Sequence, residues 1–171
     1  RRDRGTLADM PRETGIKRVA DNRKARHDFF IDDVYEAGIA LVGTEVKSLR
    51  EGRIALRDSY VEVRGSATAP ELYLVGAHIS PYDQGNIWNH DPVRPRKLLL
   101  HRSEIDRIAA RVRERGYTVV PLKVYFREGR AKVEIGLARG KKLYDKRHDL
   151  ARRDAQRDGE RALRGRGGDS R

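Results

Sequence analysis

With 171 residues, 37% of them hydrophobic, and a mean hydropathy of -0.80, the chain is long enough for one domain plus appendages but too polar to bury all of itself. No apolar run approaches the roughly 18 residues of a membrane span, and the arginine-rich start lacks the apolar stretch of a secretory signal. Cysteine is absent, which excludes disulfides and thiolate metal sites and leads us to expect a cytoplasmic protein.

The net charge of +12 is unevenly placed. Residues 1–26 carry nine Lys/Arg against four Asp/Glu, and residues 138–171 carry twelve against six. Residues 27–137 hold seventeen against sixteen, so a nearly neutral body has two basic ends. That is the footprint of a polyanion binder, with a merely solubilising charge distribution as the bland alternative.

The only methionine is Met10, so residues 1–9 are expected to lie upstream of the true start and 1–21 to form a flexible extension. Apolar patterning begins at Phe29 and runs to Leu41, where Gly38 predicts a bulge or a close backbone approach. Thr44 is expected to cap a short helix through Arg50, ended by Gly52. Ser59 to Val63 and Leu72 to Val75 read as an antiparallel pair. Ser80 to Lys97 is a long loop with three of the six prolines and the only tryptophan, and a loop of that length is expected to be functional. Ser103-Glu-Ile-Asp106 starts a helix whose Ile105, Ile108, Ala109 and Val112 share one face, closed by Gly116. Val120, Leu122, Val124 and Phe126 alternate on one face of a strand, and a Glu128-Gly129 turn leads to Val133, Ile135 and Leu137. Several short strands, one mid-chain helix and no βαβ alternation predict a small β-barrel over 22–137, with an open β-sandwich as the alternative. The basic tail, 138–171, shows no continuous apolar stripe. Propensity allows a helix from about Tyr144 to Arg157, but nothing on it would offset the cost of docking, so disorder is expected until a partner supplies contacts. Gly159, Gly165, Gly167 and Gly168 are expected to interrupt a longer helix, and Arg166-Gly167-Gly168 resembles a flexible RNA contact.

Catalytic chemistry finds no support. His27-Asp28 and His90-Asp91 lack a third partner at readable spacing, and neighbours on a strand point to opposite faces. There is no HExxH, GxSxG or GxxxxGK[ST], and no carboxylate clustering for a metal. The chain is therefore expected to be no enzyme and to use no metal or cofactor. A motif-free metal nuclease is the form an enzyme would take.

A set of strings then stops being generic: Asn22-Arg-Lys-Ala-Arg-His27, Tyr35-Glu-Ala-Gly-Ile39, Gly43-Thr-Glu-Val-Lys-Ser-Leu-Arg50, Asp58-Ser-Tyr60, Asn89-His-Asp-Pro92, Arg96-Lys-Leu-Leu-Leu-His101, Gly136-Leu-Ala-Arg-Gly-Lys-Lys142 and Tyr144-Asp-Lys-Arg147. From about Ile16 to Arg147 they resemble the SsrA-binding proteins (small protein B, SmpB) of bacterial ribosome rescue. The resemblance implies a mainly β protein with short helices, an OB-fold-like closed barrel, and a disordered basic tail that becomes partly helical on the ribosome. Its implied partners are the tRNA-like domain of transfer-messenger RNA (tmRNA, SsrA RNA) and a stalled ribosome, whose decoding-centre rRNA and empty mRNA channel the tail enters. No membrane and no small-molecule substrate belong to this scheme.

Carried over by position, the tmRNA-facing residues are Asn22, Arg23, Lys24, Glu36, Lys97, Leu99 and His101. Asn22 and Arg23 suit phosphate and base-edge contacts. Glu36 would repel phosphate, so it should accept from base N–H groups or a 2′-OH; an ion pair with a core arginine is the equal alternative. Leu99 belongs to a Leu-Leu-Leu run that is ordinarily core, and the resemblance selects an exposed leucine packed on an unstacked base. The implied tail residues are Lys141, Lys142, Tyr144, Asp145, Lys146 and Arg147. The cations neutralise rRNA phosphate and the tyrosine stacks on a base. A generic OB-fold single-strand RNA chaperone and a ribosomal structural component are the other classes that fit the charge.

Overall fold

The computed structural model describes residues 15–84, 87, 89–114, 116–141 and 143–165, without the side chains of 143–146 and 165. In chain order these form β1 (Ile16–Asp21), α1 (Arg23–Asp28), β2 (Phe29–Ile39), α2 (Gly43–Arg50), β3 (Ile54–Ala55), β4 (Tyr60–Ser66), β5 (Ala69–Val75), β6 (His78–Ile79), β7 (Arg96–Leu99), α3 (Arg102–Val112), β8 (Tyr117–Arg127), β9 (Arg130–Gly140) and α4 (Leu143–Gly165). The protein is mainly β with short helices before the long C-terminal one.

Every strand pairing is antiparallel. The pairings lead from β8 through β4, β5, β7, β2 and β9 back to β8. The β4 to β8 link is a single pair, Val61 with Val119, because β1 occupies the rest of that edge of β8. The hairpin predicted at Glu128-Gly129 is present. Both residues have positive φ, 50° and 76°, the primed geometry whose twist matches the flanking strands. The β4–β5 pair is also where the alternation put it. A small ribbon, β3 with β6, stands apart from the main sheet.

The core gathers Leu72, Leu74 and Leu98 from β5 and β7, Ile135 and Leu137 from β9, and Ile108 from α3. Ile105 and Val112 of the predicted α3 stripe pack at its margin. The predicted single face of β8 divides in two. Val124 and Phe126 enter the main core, whereas Val120 and Leu122 pack with Ala25 and Ala138 in a second, smaller cluster at α1. The cause is a register shift between Pro121 and Lys123, which resets the alternation along the strand.

Several expectations need correcting. Residues 16–21 are not part of an extension: they form β1 and pair with Lys123 to Arg127, while residues 1–14, including the segment expected upstream of the start, lie outside the described residues. Thr44 does not cap α2. Val42 stands at the cap position, and its N–H donates to Glu45 Oε1 at 3.0 Å. Ser103 lies inside α3, which starts after His101. His27 and Asp28 precede β2, as expected, but in the last turn of α1, where their side chains meet at 2.9 Å. The tail is helical from Leu143–Gly165 where disorder was expected, and Gly159 does not break it. Among its described side chains, those from Arg147 to Arg164 are exposed except for half-buried Asp149, so what the described side chains supply is i,i+3 pairs such as Asp149–Arg152 and polar bonds to the body from Asp149 and Arg153. Residues 166–171 lie outside the described residues.

One buried ion pair ties three elements together. Glu45 of α2 and Arg96 of β7 are both fully buried and bonded to each other. Arg94 Nε adds a 3.0 Å bond to Glu45, and Arg96 itself donates to the carbonyls of Ala77 (3.0 Å) and Pro92 (3.1 Å). The long loop is thereby anchored rather than free. His90 bridges Thr44 Oγ1 (3.0 Å) and the Ile79 carbonyl (2.9 Å), and Asn89 exchanges two bonds with the backbone of Tyr82. Trp88 lies outside the described residues. Burial pushes the Glu45 carboxyl up, but Arg94, the Val42 N–H and Arg96 together outweigh it and hold it below its ordinary value. Replacing Glu45 with Gln strands a buried guanidinium, and urea unfolding should show a loss of about 3–5 kcal/mol at neutral pH. A folded pKa below the unfolded one means this contribution is complete above the ordinary carboxylate range and disappears as pH falls through the folded value. The gap between wild type and Glu45→Gln should therefore narrow on acidification.

Candidate nucleic-acid interface

The sequence-predicted residues fall into three places. The first is the outward face of β7 and β2. Gly38 pairs with Leu99, and a Cβ built on Gly38 would sit 3.3 Å from that of Leu99, so the close approach predicted at this glycine is real. Leu99 is 53% exposed, beside Lys97 on the same face and across from Leu98 in the core. Lys97 reaches Glu71 Oε1 at 3.3 Å. His101 is exposed and starts α3, where its carbonyl accepts from Glu104 and Ile105 and its side chain makes no cap bond. Glu36 is two residues from Gly38 on the same side of β2. Its Oε2 accepts from the Tyr125 hydroxyl and lies 2.8 Å from Arg127, so the ion pair weighed as an alternative is formed, with an arginine at the surface rather than in the core.

The strand register extends this face across β9, β8 and β1. Glu36 stands opposite Glu134, Glu134 opposite Lys123, and Tyr125 opposite Arg18. Lys123 neutralises Glu134 at 2.8 Å. Tyr125 is buried beneath its neighbours; desolvation, and then its bond to Glu36, push its phenol up to about 12. Beside Glu36 lies a shallow groove of about 320 Å³, walled by Ile16, Arg18, Val34, Lys123, Tyr125 and Arg127. Sequence reasoning missed these cations and the tyrosine. Their signal was present: residues 123, 125 and 127 alternate with buried 124 and 126.

The second place is α1. Asn22 is 8% exposed and caps this helix, its Oδ1 accepting from the Ala25 N–H at 3.3 Å and its Nδ2 donating to the Pro121 carbonyl at 2.9 Å. Its amide is thus spent on the fold, at the start of the helix that carries Arg23 and Arg26. Both are exposed along a second groove, of about 270 Å³, which shares Arg18 and Lys123 with the first. Lys24 instead pairs with Asp58 at 2.7 Å, and that bond holds the aspartate below its ordinary value.

The third place is the root of α4, where Lys141 departs from expectation. Its side chain is 4% exposed, bonded to Asp149 and to the Arg26 carbonyl (3.3 Å), with the Phe30 ring 5.0 Å away. Such a lysine holds the tail helix to the body and is not offered to solvent. Arg147 is exposed on α4; Lys142 and the side chains of Tyr144, Asp145 and Lys146 lie outside the described residues. Chemically, this surface joins apolar side chains, a cationic rim and the carboxylates of Glu36, Glu71 and Glu134, each ion-paired. Among the described residues no cluster of His, Asp and Glu could hold a metal ion, and no helix is long and apolar enough to cross a membrane.

The SmpB protein family model matches residues 19–165. The chain belongs to the SmpB family. An SsrA-binding protein of Roseiflexus sp. (strain RS-1) is 61% identical over 91% of this chain and 97% of its own length. The SsrA-binding protein of Kineococcus radiotolerans is 61% identical over 90% of this chain and 96% of its own. A solved structure, "tmRNA-SmpB: a journey to the center of the bacterial ribosome", contains a chain 52% identical to this one. It superposes with a TM-score of 0.60 over 73% of this chain and 85% of that one.

Lys141→Met keeps the aliphatic stem against Phe30 and removes the charge. Amide hydrogen exchange in the first turns of α4 should then rise about tenfold, the loss expected for one charge-assisted bond, while β2 and β9 exchange as before. Unchanged exchange in α4 would show that Lys141 does not hold the helix.

Proposed function

We propose that this protein binds the tRNA-like domain of tmRNA, delivers it to the A site of a stalled ribosome, and uses its C-terminal tail to sense an empty mRNA channel. Tagging of the nascent peptide and release of the ribosome follow. The observation that carries this reading is the likeness, at 52% identity, to a protein solved as tmRNA-SmpB in a ribosomal setting, joined to a contiguous cationic face. The circuit of strand pairings supports an OB-type closed barrel as the platform. On it, Arg23, Arg26, Arg18 and Lys123 contact phosphate, Glu36 accepts from a base or ribose donor, and Leu99 packs on a base with Lys97 and His101 at its edge. Asn22 acts through the helix it caps. The reaction chemistry belongs to the ribosome and the RNA; the protein is a cytoplasmic RNA-binding factor without a catalytic residue.

The tail supplies selectivity. Lys142, Lys146 and Arg147, with the exposed arginines of α4, release counterions from rRNA, and Tyr144 and Asp145 add base-level contacts. A channel filled by mRNA excludes this helix and an empty one accepts it.

Because β9 runs to Gly140, the informative truncation ends there; a cut at Gly136 would remove part of the sheet. The protein ending at Gly140 should bind tmRNA within about threefold of the full chain, counting surface cations as worth under 1 kcal/mol each, yet support no tagging on stalled ribosomes. Tagging by the truncated protein would overturn the channel-sensing role. Competition by an unrelated RNA, equal to tmRNA at physiological salt, would instead favour a general RNA chaperone.

A further inference from the structure

Glu36 is the carboxylate of this face that takes two donors on one oxygen. Both of its donors, the Tyr125 hydroxyl and Arg127, fall on Oε2. Among the described residues no hydrogen bond reaches Oε1, and Glu36 itself lines the groove with Ile16, Val34 and Arg18. A bare carboxylate there would repel RNA, whereas Arg127 cancels its charge while leaving one oxygen able to accept. Tyr125, with its phenol held far above neutrality, stays a donor at every physiological pH.

We propose that Tyr125 and Arg127 are positioning residues for Glu36. By loading Oε2 they present Oε1 to a neutral N–H or O–H donor of an unpaired nucleotide lying in the groove. They act through Glu36 and not by binding phosphate. This rests on reading the face as the tmRNA contact.

The test uses the full chain, with a tRNA-like-domain transcript of tmRNA and an unrelated hairpin RNA at matched salt. Glu36→Gln and Arg127→Gln should each weaken binding of the tRNA-like domain about tenfold, and Tyr125→Phe somewhat less, with the unrelated RNA unaffected. The Glu36→Gln/Arg127→Gln double variant should bind no worse than either single one, and Arg127→Lys should restore most of the loss. The slope of affinity against salt should not change. Thermal melts confirm that each variant is folded, and Arg127→Lys keeps the test open where another is not. Additive losses with a salt slope reduced by about one would make Arg127 a phosphate contact and overturn the proposal. Full-strength binding by Glu36→Gln would overturn it too. Loss of tmRNA preference in the unaltered chain would instead sink the underlying reading. A 2′-fluoro transcript names the donor: a Glu36→Gln effect that persists on it assigns a base N–H, and one that vanishes assigns the 2′-OH.

Discussion

The fully buried pair between Glu45 and Arg96 is the constraint from which the rest of the molecule is hung. Two charges in a core cost several kcal/mol each in lost hydration, and the cost is met only when every polar valence is answered. Here it is answered by Arg94, by the Val42 N–H and by carbonyls of Ala77 and Pro92, so one pair fixes a helix, a strand and a long loop at once. Arg96 opens β7, and the inward turn of its side chain determines that Lys97 and Leu99 look outward. The exposed leucine and lysine of the interface are therefore consequences of a buried arginine. An apolar residue at 96 would leave the alternation intact but untie the loop from the strand.

The same pair changes how the family strings are understood. Thr44, Glu45, His90 and Arg96 come from three of the strings that carry the resemblance, and the structure spends them on one another. They mark the fold. The surface proposed to meet RNA adds less conspicuous positions, Arg18, Lys123, Tyr125 and Arg127, brought beside Glu36 by strand register.

This explains what was legible in the sequence. Period-two alternation exposed the hairpin at Glu128-Gly129, the β4–β5 pair and the α3 stripe, because those elements bury one face against one core. It failed on β8, where the shift after Pro121 sends Val120 and Leu122 to a different cluster from Val124 and Phe126. It missed β1, whose six residues include no fully buried one and which is held chiefly by pairing along β8, with Val19 and Ala20 packed at the core's margin. At the interface, the resemblance, together with residue type, implied that Asn22 and Lys141 would reach RNA. Their partners are the Pro121 and Arg26 carbonyls, contacts across 99 and 115 residues that no local pattern announces.

The long-range bond at Arg26 also revises the picture of two separate basic ends. Arg26 belongs to the last turn of α1, where carbonyls lack partners within the helix and carry the negative end of its dipole. Lys141 and Arg153 donate to that carbonyl, at 3.3 and 3.4 Å, so cations of the tail complete the helix that carries the N-terminal cations. Only a ligand that draws both Lys141 and Arg153 away would strip that carbonyl of its tail donors. By the same linkage, a ligand that stiffens α1 strengthens the seat of α4. The two charged segments are thus not merely spaced apart by the neutral body: at this corner they are bonded to each other.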